Sequence, residues 1–187
     1  MLNHTGTPVL HTKRLTLRPF ALDDAQAMFE NWAQNPNVTE YLRWTPHQSI
    51  DDSLNAVQTW VENYKKDDYY QWGIEIDGVL IGSVGAVSVT SEDESCEFGY
   101  CMAQEYWGRG IMPEACEAIF TYLFDTVGFH RICAMHAGGN PKSGRVMQKM
   151  GMRHEGTQKM SIKLIDGSFD DLELYGILKE EFDARHQ

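Results

Sequence analysis

The sequence predicts an α+β fold, a mixed and mostly antiparallel sheet of seven strands flanked by about four helices. Three observations carry this. Apolar residues recur with period two in two separate blocks, and each block contains an Asp-Gly turn, Asp77-Gly78 and Asp166-Gly167. Helical spacing governs the stretches after Asp23, Ser49, Gly110 and Asn140. One strand-like run, Cys96 to Met102, leads through a glycine pair directly into a helix.

Taken in order, Thr12 to Pro19 alternates, with Leu15 and Leu17 on one side, and stops at the proline. Asp23-Asp24 open a helix carrying Ala25, Met28, Phe29 and Trp32, and Asn35-Pro36-Asn37 breaks it. Val38 to Gln48 reads as a loop. Ser49 starts a second helix, with Asp52 in the capping-box position and Leu54, Val57, Val61 and Tyr64 on one face. Trp72 to Ile76 and Val79 to Val89 form a hairpin, Ser91 to Glu94 an acidic turn, and Cys96 to Met102 the fourth strand. A helix runs from Pro113 to about Thr126, a fifth strand from Arg131 to His136, and a helix from Asn140 to about Met150. Met160 to Ile165 and Asp171 to Leu178 close the chain as a hairpin. Neither repeat nor linker interrupts this order, so one domain over residues 1–187 is expected.

Composition narrows the function. Hydrophobic residues make up 42% and aromatics 11%, enough for a real core at this length. No apolar run approaches the roughly 18 residues that span a bilayer, so no membrane partner is expected. Met1 to Pro8 lacks the apolar core of a signal segment, which predicts a cytoplasmic protein. A net charge of −11 disfavours nucleic acid and suits a cationic acceptor such as an amine. Cys96, Cys101, Cys116 and Cys133 form no C-x-x-C pair and read as reduced thiols. The seven histidines lack i, i+4 spacing and read as surface or core residues, so no metal is expected.

The segment Tyr106-Trp107-Gly108-Arg109-Gly110-Ile111-Met112-Pro113 concentrates the chemistry. Glycines at 108 and 110 permit a tight turn with uncovered N–H groups. Those groups stand at a helix N-terminus, where a phosphate finds donors and a favourable dipole. A P-loop would need Gly-Lys-Ser/Thr, which is absent, and a dinucleotide fingerprint would need glycine where Pro113 stands. Read locally, the turn serves equally as an ordinary strand-to-helix connection, and Asn140 as an N-cap before Pro141.

Together the segments resemble the GNAT family of acetyl-CoA-dependent N-acetyltransferases, and within it the RimJ/RimL-type branch. Thr12-Lys13-Arg14-Leu15-Thr16-Leu17-Arg18-Pro19 is similar to that branch's first strand, and Asn35-Pro36-Asn37-Val38 with Tyr41-Leu42-Arg43-Trp44 to its early helix-loop segment. Leu80 to Gly85 resembles its third strand. Phe98-Gly99-Tyr100, then Tyr106 to Ile111, then Glu114-Ala115, resembles the pyrophosphate motif. Asn140-x-x-Ser143, Lys149-x-Gly151 and Glu155-Gly156 resemble the downstream motif. Glu105 departs from the Gln or Arg frequent three residues before the first motif glycine.

The resemblance implies strands four and five splayed around acetyl-CoA. Backbone around Cys101, Met102 and Ala103 would bond pantetheine. Gly108, Arg109, Gly110, Ile111 and Met112 would hold pyrophosphate, and Asn140 and Ser143 would face the thiol arm. The reaction implied is direct attack of a primary amine on the thioester in a ternary complex. Glu97 is the candidate base, with a water relay as its alternative, and Ser143 or Tyr175 the candidate acid. Met160 to Lys163 lacks the glutamate base proposed for RimL-type enzymes. Tyr41 and Trp44, with Trp72 beside them, are candidate walls of the acceptor pocket. The acceptor implied is a protein N-terminal α-amine, with a polyamine, amino sugar or antibiotic as alternative, for a monomer or homodimer. A non-catalytic acyl-CoA-binding module is the competing class.

Overall fold

A computed structural model describes residues 1–186. Eight strands form one sheet in the order β1-β2-β3-β4-β5-β6-β8-β7. They are β1 (Leu10–His11), β2 (Leu15–Arg18), β3 (Gln71–Ile76), β4 (Val79–Thr90), β5 (Ser95–Met102), β6 (Arg131–Ala137), β7 (Arg153–Lys163) and β8 (Phe169–Leu178). Every neighbouring pair is antiparallel except β5 and β6. That exception follows from the helical crossover between them, because parallel neighbours need a long connection.

The helices are α1 (Asp24–Met28, extended by a π turn over Phe29–Ala33), α2 (Pro36–Thr39), α3 (Ile50–Asn63), α4 (Ile111–Thr121, extended over Tyr122–Val127), α5 (Pro141–Lys149) and α6 (Lys179–Ala184). The Asp77-Gly78 turn takes positive φ at both residues, the backbone twist a two-residue hairpin needs. Asp52 accepts hydrogen bonds from the N–H groups of Gln48 and Ser49, which fixes the start of α3.

Strand alternation sends the two faces of the sheet to different helices. On one face, Phe98 meets Phe120 of α4 edge to face at 4.9 Å, and Ile111, Ala115, Cys116 and Ile119 are buried against the strands. On the other, Phe20, Met28, Trp32 and Val57 bury α1 and α3 against Leu80. Each large apolar side chain so buried contributes about 1.5–3 kcal/mol.

Four expectations are corrected. Asn35-Pro36 starts a helix as well as ending one, because Asn35 caps α2 by accepting from the Asn37 N–H at 2.9 Å. Strand β7 begins at Arg153, not Met160. Its first half is exposed apart from the half-buried Gly156 and so carries no alternation to read. The two-residue β1 raises the strand count to eight, and the short α2 and α6 raise the helix count to six among the described residues. Trp72 is fully buried and donates to the Pro8 carbonyl at 2.7 Å, so it belongs to the core and walls no pocket.

Candidate active site

The parallel pairing of β5 with β6 runs only from Ser95–Arg131 to Phe98–Ala134. Beyond it β5 continues to Met102 and β6 to Ala137 without pairing each other. These are the fourth and fifth strands of the sequence reading, and their parting opens a cleft of about 760 Å³. Gly99, Tyr100 and Cys101 line it from β5, and Met135 and His136 from β6.

The glycine turn forms one wall. Trp107 ties it to the end of β5 by donating Nε1–H to the Met102 carbonyl at 2.8 Å. Gly108 and Gly110 hold φ of 77° and 72°, a region that costs other residues about 1–2 kcal/mol. A Cβ on Gly108 would meet nothing within 4 Å, and one on Gly110 only Arg14 Nη2 at 3.8 Å. Conformation, not crowding, therefore requires glycine here. Gly110 is the N-cap of α4, so the first N–H groups of that helix lack intrahelical partners beside the cleft. Gly108, Gly110, Ile111 and Met112 line the cleft, whereas Arg109 is exposed outside it, its guanidinium 5.2 Å from the Tyr106 ring centre.

The start of α5 forms the opposite wall. Asn140 caps it, its Oδ1 accepting from the Ser143 N–H at 3.3 Å, with Pro141 in the first turn. Tyr100 Oη donates to the Ser143 carbonyl at 3.0 Å and lies 2.9 Å from Ser143 Oγ. Burial pushes the Tyr100 phenol well above its ordinary range, against a smaller pull from Ser143, so it stays protonated. Lys142, Arg145 and Lys149 bring three cations to the lining, against the single carboxylate of Glu40. Lys142 Nζ sits 4.6 Å above the Trp107 ring.

His136 was not singled out by sequence. Its Nδ1–H donates to the Ala137 carbonyl at 2.7 Å, and Nε2 is buried without a hydrogen-bond partner among the described residues. A Cβ on Gly144 would lie 2.6 Å from that nitrogen, so glycine lets α5 close over the ring. In the sequence Tyr100 stands out only as part of a motif. Its parity with Phe98, two residues earlier, places it on the same strand face, but spacing alone does not say which helix it meets there.

The remaining candidates separate. Tyr41 lines the cleft beside Glu40, and burial followed by the Glu40 contact pushes its phenol up. Trp44 instead lines a shallow hollow with Arg43, His47 and Gln48. Ala103 is fully buried, its N–H donating to Ile81 and its carbonyl accepting from Tyr106. Met102 and Cys101 both line the cleft. Glu97, half-buried between Ser88 and Cys133, lies outside the lining. Tyr175 is also outside, its Oη 3.5 Å from Gln148 Nε2. The Cys101 thiol lies 3.3 Å from Ser83 Oγ, and burial pushes its pKa up, as it does for the other three free cysteines. None is poised as a thiolate nucleophile.

Parted parallel strands, a glycine turn offering helix N–H groups and hydroxyls across the gap form a cleft suited to a long ligand with a phosphate tail. The family model described as an Acetyltransferase (GNAT) domain matches residues 14–153, and the chain belongs to that family. The Bacillus subtilis protein described as uncharacterized N-acetyltransferase YoaA is 31% identical over 174 residues, 92% of this chain and 97% of its own. The Escherichia coli [Ribosomal protein uS5]-alanine N-acetyltransferase is 29% identical over 172 residues, 87% of this chain and 86% of its own. A crystal structure of a GNAT-family acetyltransferase from Bacillus anthracis superposes with a TM-score of 0.80 at 27% identity, over 92% of this chain and 99% of that one. RimL, the ribosomal L7/L12 α-N-protein acetyltransferase solved with coenzyme A, shares the fold with a TM-score of 0.84 at 19% identity, over 91% and 98%. The protein is thus an N-acetyltransferase whose donor is acetyl-CoA.

Proposed function

We propose that the acceptor is the α-amine of a protein N-terminus, acetylated by direct attack within a ternary complex. The observation that carries this is the lining of the cleft. Its single carboxylate, Glu40, sits beside Tyr41 at the α2 end, and the gap between β5 and β6 holds no acid. An α-amine has a pKa of about 8 and needs only a water relay to lose its proton. A lysine, at about 10.4, is more than two units harder to neutralise, roughly 3 kcal/mol, and would call for a base in the gap. The 29% identity to a uS5-alanine N-acetyltransferase supports the same reading. Ribosomal-protein acceptors would place the enzyme in the cytoplasm.

Each residue then has a task. The N–H groups of Gly110, Ile111 and Met112 hold pyrophosphate, with Lys142, Arg145 and Lys149 supplying positive charge in an acidic protein. Backbone at Cys101 and Met102 lines the pantetheine arm, and Asn140 and Ser143 lie at its thiol end. Acetyl-CoA supplies the activated acyl group and a thiolate leaving group. Ser143 alone is too weak an acid; held by its contact with Tyr100 Oη, its hydroxyl donates a hydrogen bond to the departing sulfur, and the proton that the amine releases to water returns to the thiolate from solvent. Tyr41 and Glu40 border the entry of the cationic acceptor. With Glu97 and Tyr175 outside the lining, neither is needed for an α-amine.

The test offers acetyl-CoA with Ala- and Ser-started peptides, an N-blocked lysine peptide, a polyamine and an amino sugar, and follows thiol release. The peptides with free α-amines are expected to show kcat/KM at least tenfold above every other acceptor. A polyamine or amino sugar turned over faster than all peptides would replace this acceptor with a small molecule.

A further inference from the structure

The segment leading into β2 reaches across to the glycine turn. Thr12 Oγ1 donates to Glu114 Oε1 at 2.6 Å, and the Arg14 backbone N–H donates to the same oxygen at 3.0 Å. Arg14 Nε donates to Glu114 Oε2 at 2.6 Å, and Arg14 Nη1 to the carbonyl oxygen of Arg109 at 3.1 Å. Arg14 does not line the cleft, so it grips the turn from behind.

Peptide geometry gives that grip a consequence. The unit joining Arg109 to Gly110 is planar and trans, so its C=O and N–H point in opposite directions. With the carbonyl held behind the turn, the Gly110 N–H faces the cleft. Gly110 tolerates either sign of φ, so local sterics alone would not stop this peptide from turning over. Glu114 adds a second effect. A carboxylate in the first turn of α4 competes with a bound phosphate for the same helix end. Thr12 and Arg14 engage both of its oxygens.

We propose that Arg14 is a positioning residue for the phosphate cradle, turning the Gly110 N–H toward the pyrophosphate and Glu114 away from it. It acts through the turn and touches neither donor nor acceptor. The proposal rests on the assignment of pyrophosphate to Gly108–Met112.

The experiment compares two donors, acetyl-CoA and S-acetyl-pantetheine, which carries the same thioester and arm without pyrophosphate. The readout is the ratio of their kcat/KM values. Arg14→Met is expected to lower that ratio about tenfold through KM for acetyl-CoA. Arg14→Lys keeps the charge but cannot span Glu114 and the Arg109 carbonyl together, and it is expected to lower the ratio at least threefold. General damage to the fold would depress both donors alike. A ratio within twofold of the native value in a folded Arg14 variant overturns the proposal. Should Arg14→Met not fold, Arg14→Lys carries the same readout. If Gly110→Val also leaves CoA binding unaltered, the pyrophosphate assignment itself fails. If Gly110→Val weakens binding and the Arg14 variants do not change the ratio, only the positioning role fails.

Discussion

Replacing Gly110 with valine separates the conformational role of this glycine from simple space. The position is uncrowded, since an added Cβ would meet only Arg14 Nη2 at 3.8 Å. A steric account therefore predicts almost no effect. The backbone account predicts a large one. At φ of 72°, an L-residue costs about 1–2 kcal/mol, and a β-branched one lies at the upper end or beyond. The turn escapes that cost by rotating its peptides, which withdraws at least one N–H from the phosphate. A hydrogen bond to a charged group contributes about 1.5–3 kcal/mol, so CoA affinity should fall at least tenfold. Calorimetric titration with CoA measures the affinity, and thermal unfolding of the free protein measures the strain. Gly110→Ala, which enters the left-handed region more readily, should fall between. Native affinity in Gly110→Val would refute the reasoning, because the N–H groups would then be dispensable.

Two further predictions follow from the hydrogen bonds around the cleft. Tyr100→Phe removes the hydroxyl that bonds Ser143 Oγ and its carbonyl. It should lower kcat about tenfold or more with KM for acetyl-CoA within threefold, at a stability cost of about 1–2 kcal/mol, and native kcat in steady-state assays would dismiss the role of Tyr100 in holding Ser143. Glu114 has its carboxyl raised by burial, but the bonds from Thr12 and Arg14 win and hold it below its ordinary 4.5. A depressed carboxylate stabilises above its unfolded value and loses that contribution as pH falls through the folded one. The gap in Tm between the native chain and Glu114→Gln should thus stay constant from neutral pH to about 4.5 and close below it. A gap that closes near pH 7 would contradict the assignment.

What was legible in the sequence was what neighbouring residues decide. The turn at Gly108 and Gly110 could be read because left-handed glycine, a helix start and proline in the first turn are local signals. The Asp77-Gly78 hairpin was legible for the same reason. Contacts between distant segments were not. Arg14 reaches Glu114 across one hundred positions, and nothing in Thr12 to Pro19 distinguishes a strand residue from a brace. Nor does spacing show that Tyr100 and Ser143 meet, since each sits in its own motif. Glu97 was placed on the correct strand, but which pleat face borders the gap depends on how far β6 diverges. Edge strand β7 was half missed because exposed residues on both faces erase the period.

Tyr41 and Gly139, both in the lining of the cleft, stand so close that only glycine fits at position 139. A Cβ on Gly139 would fall 2.9 Å from Tyr41 Cε1 and 3.2 Å from Asp170 Oδ2, both beside the cap of α5. The absence of a Cβ thus sets how closely Tyr41 can approach the start of α5. On the proposed reading, in which Tyr41 borders the entry of the acceptor, a change at position 139 would reshape that entry without altering the strand ends or the glycine turn. Acceptor range and acetyl-CoA binding would then be separable, set by different stretches of the same cleft.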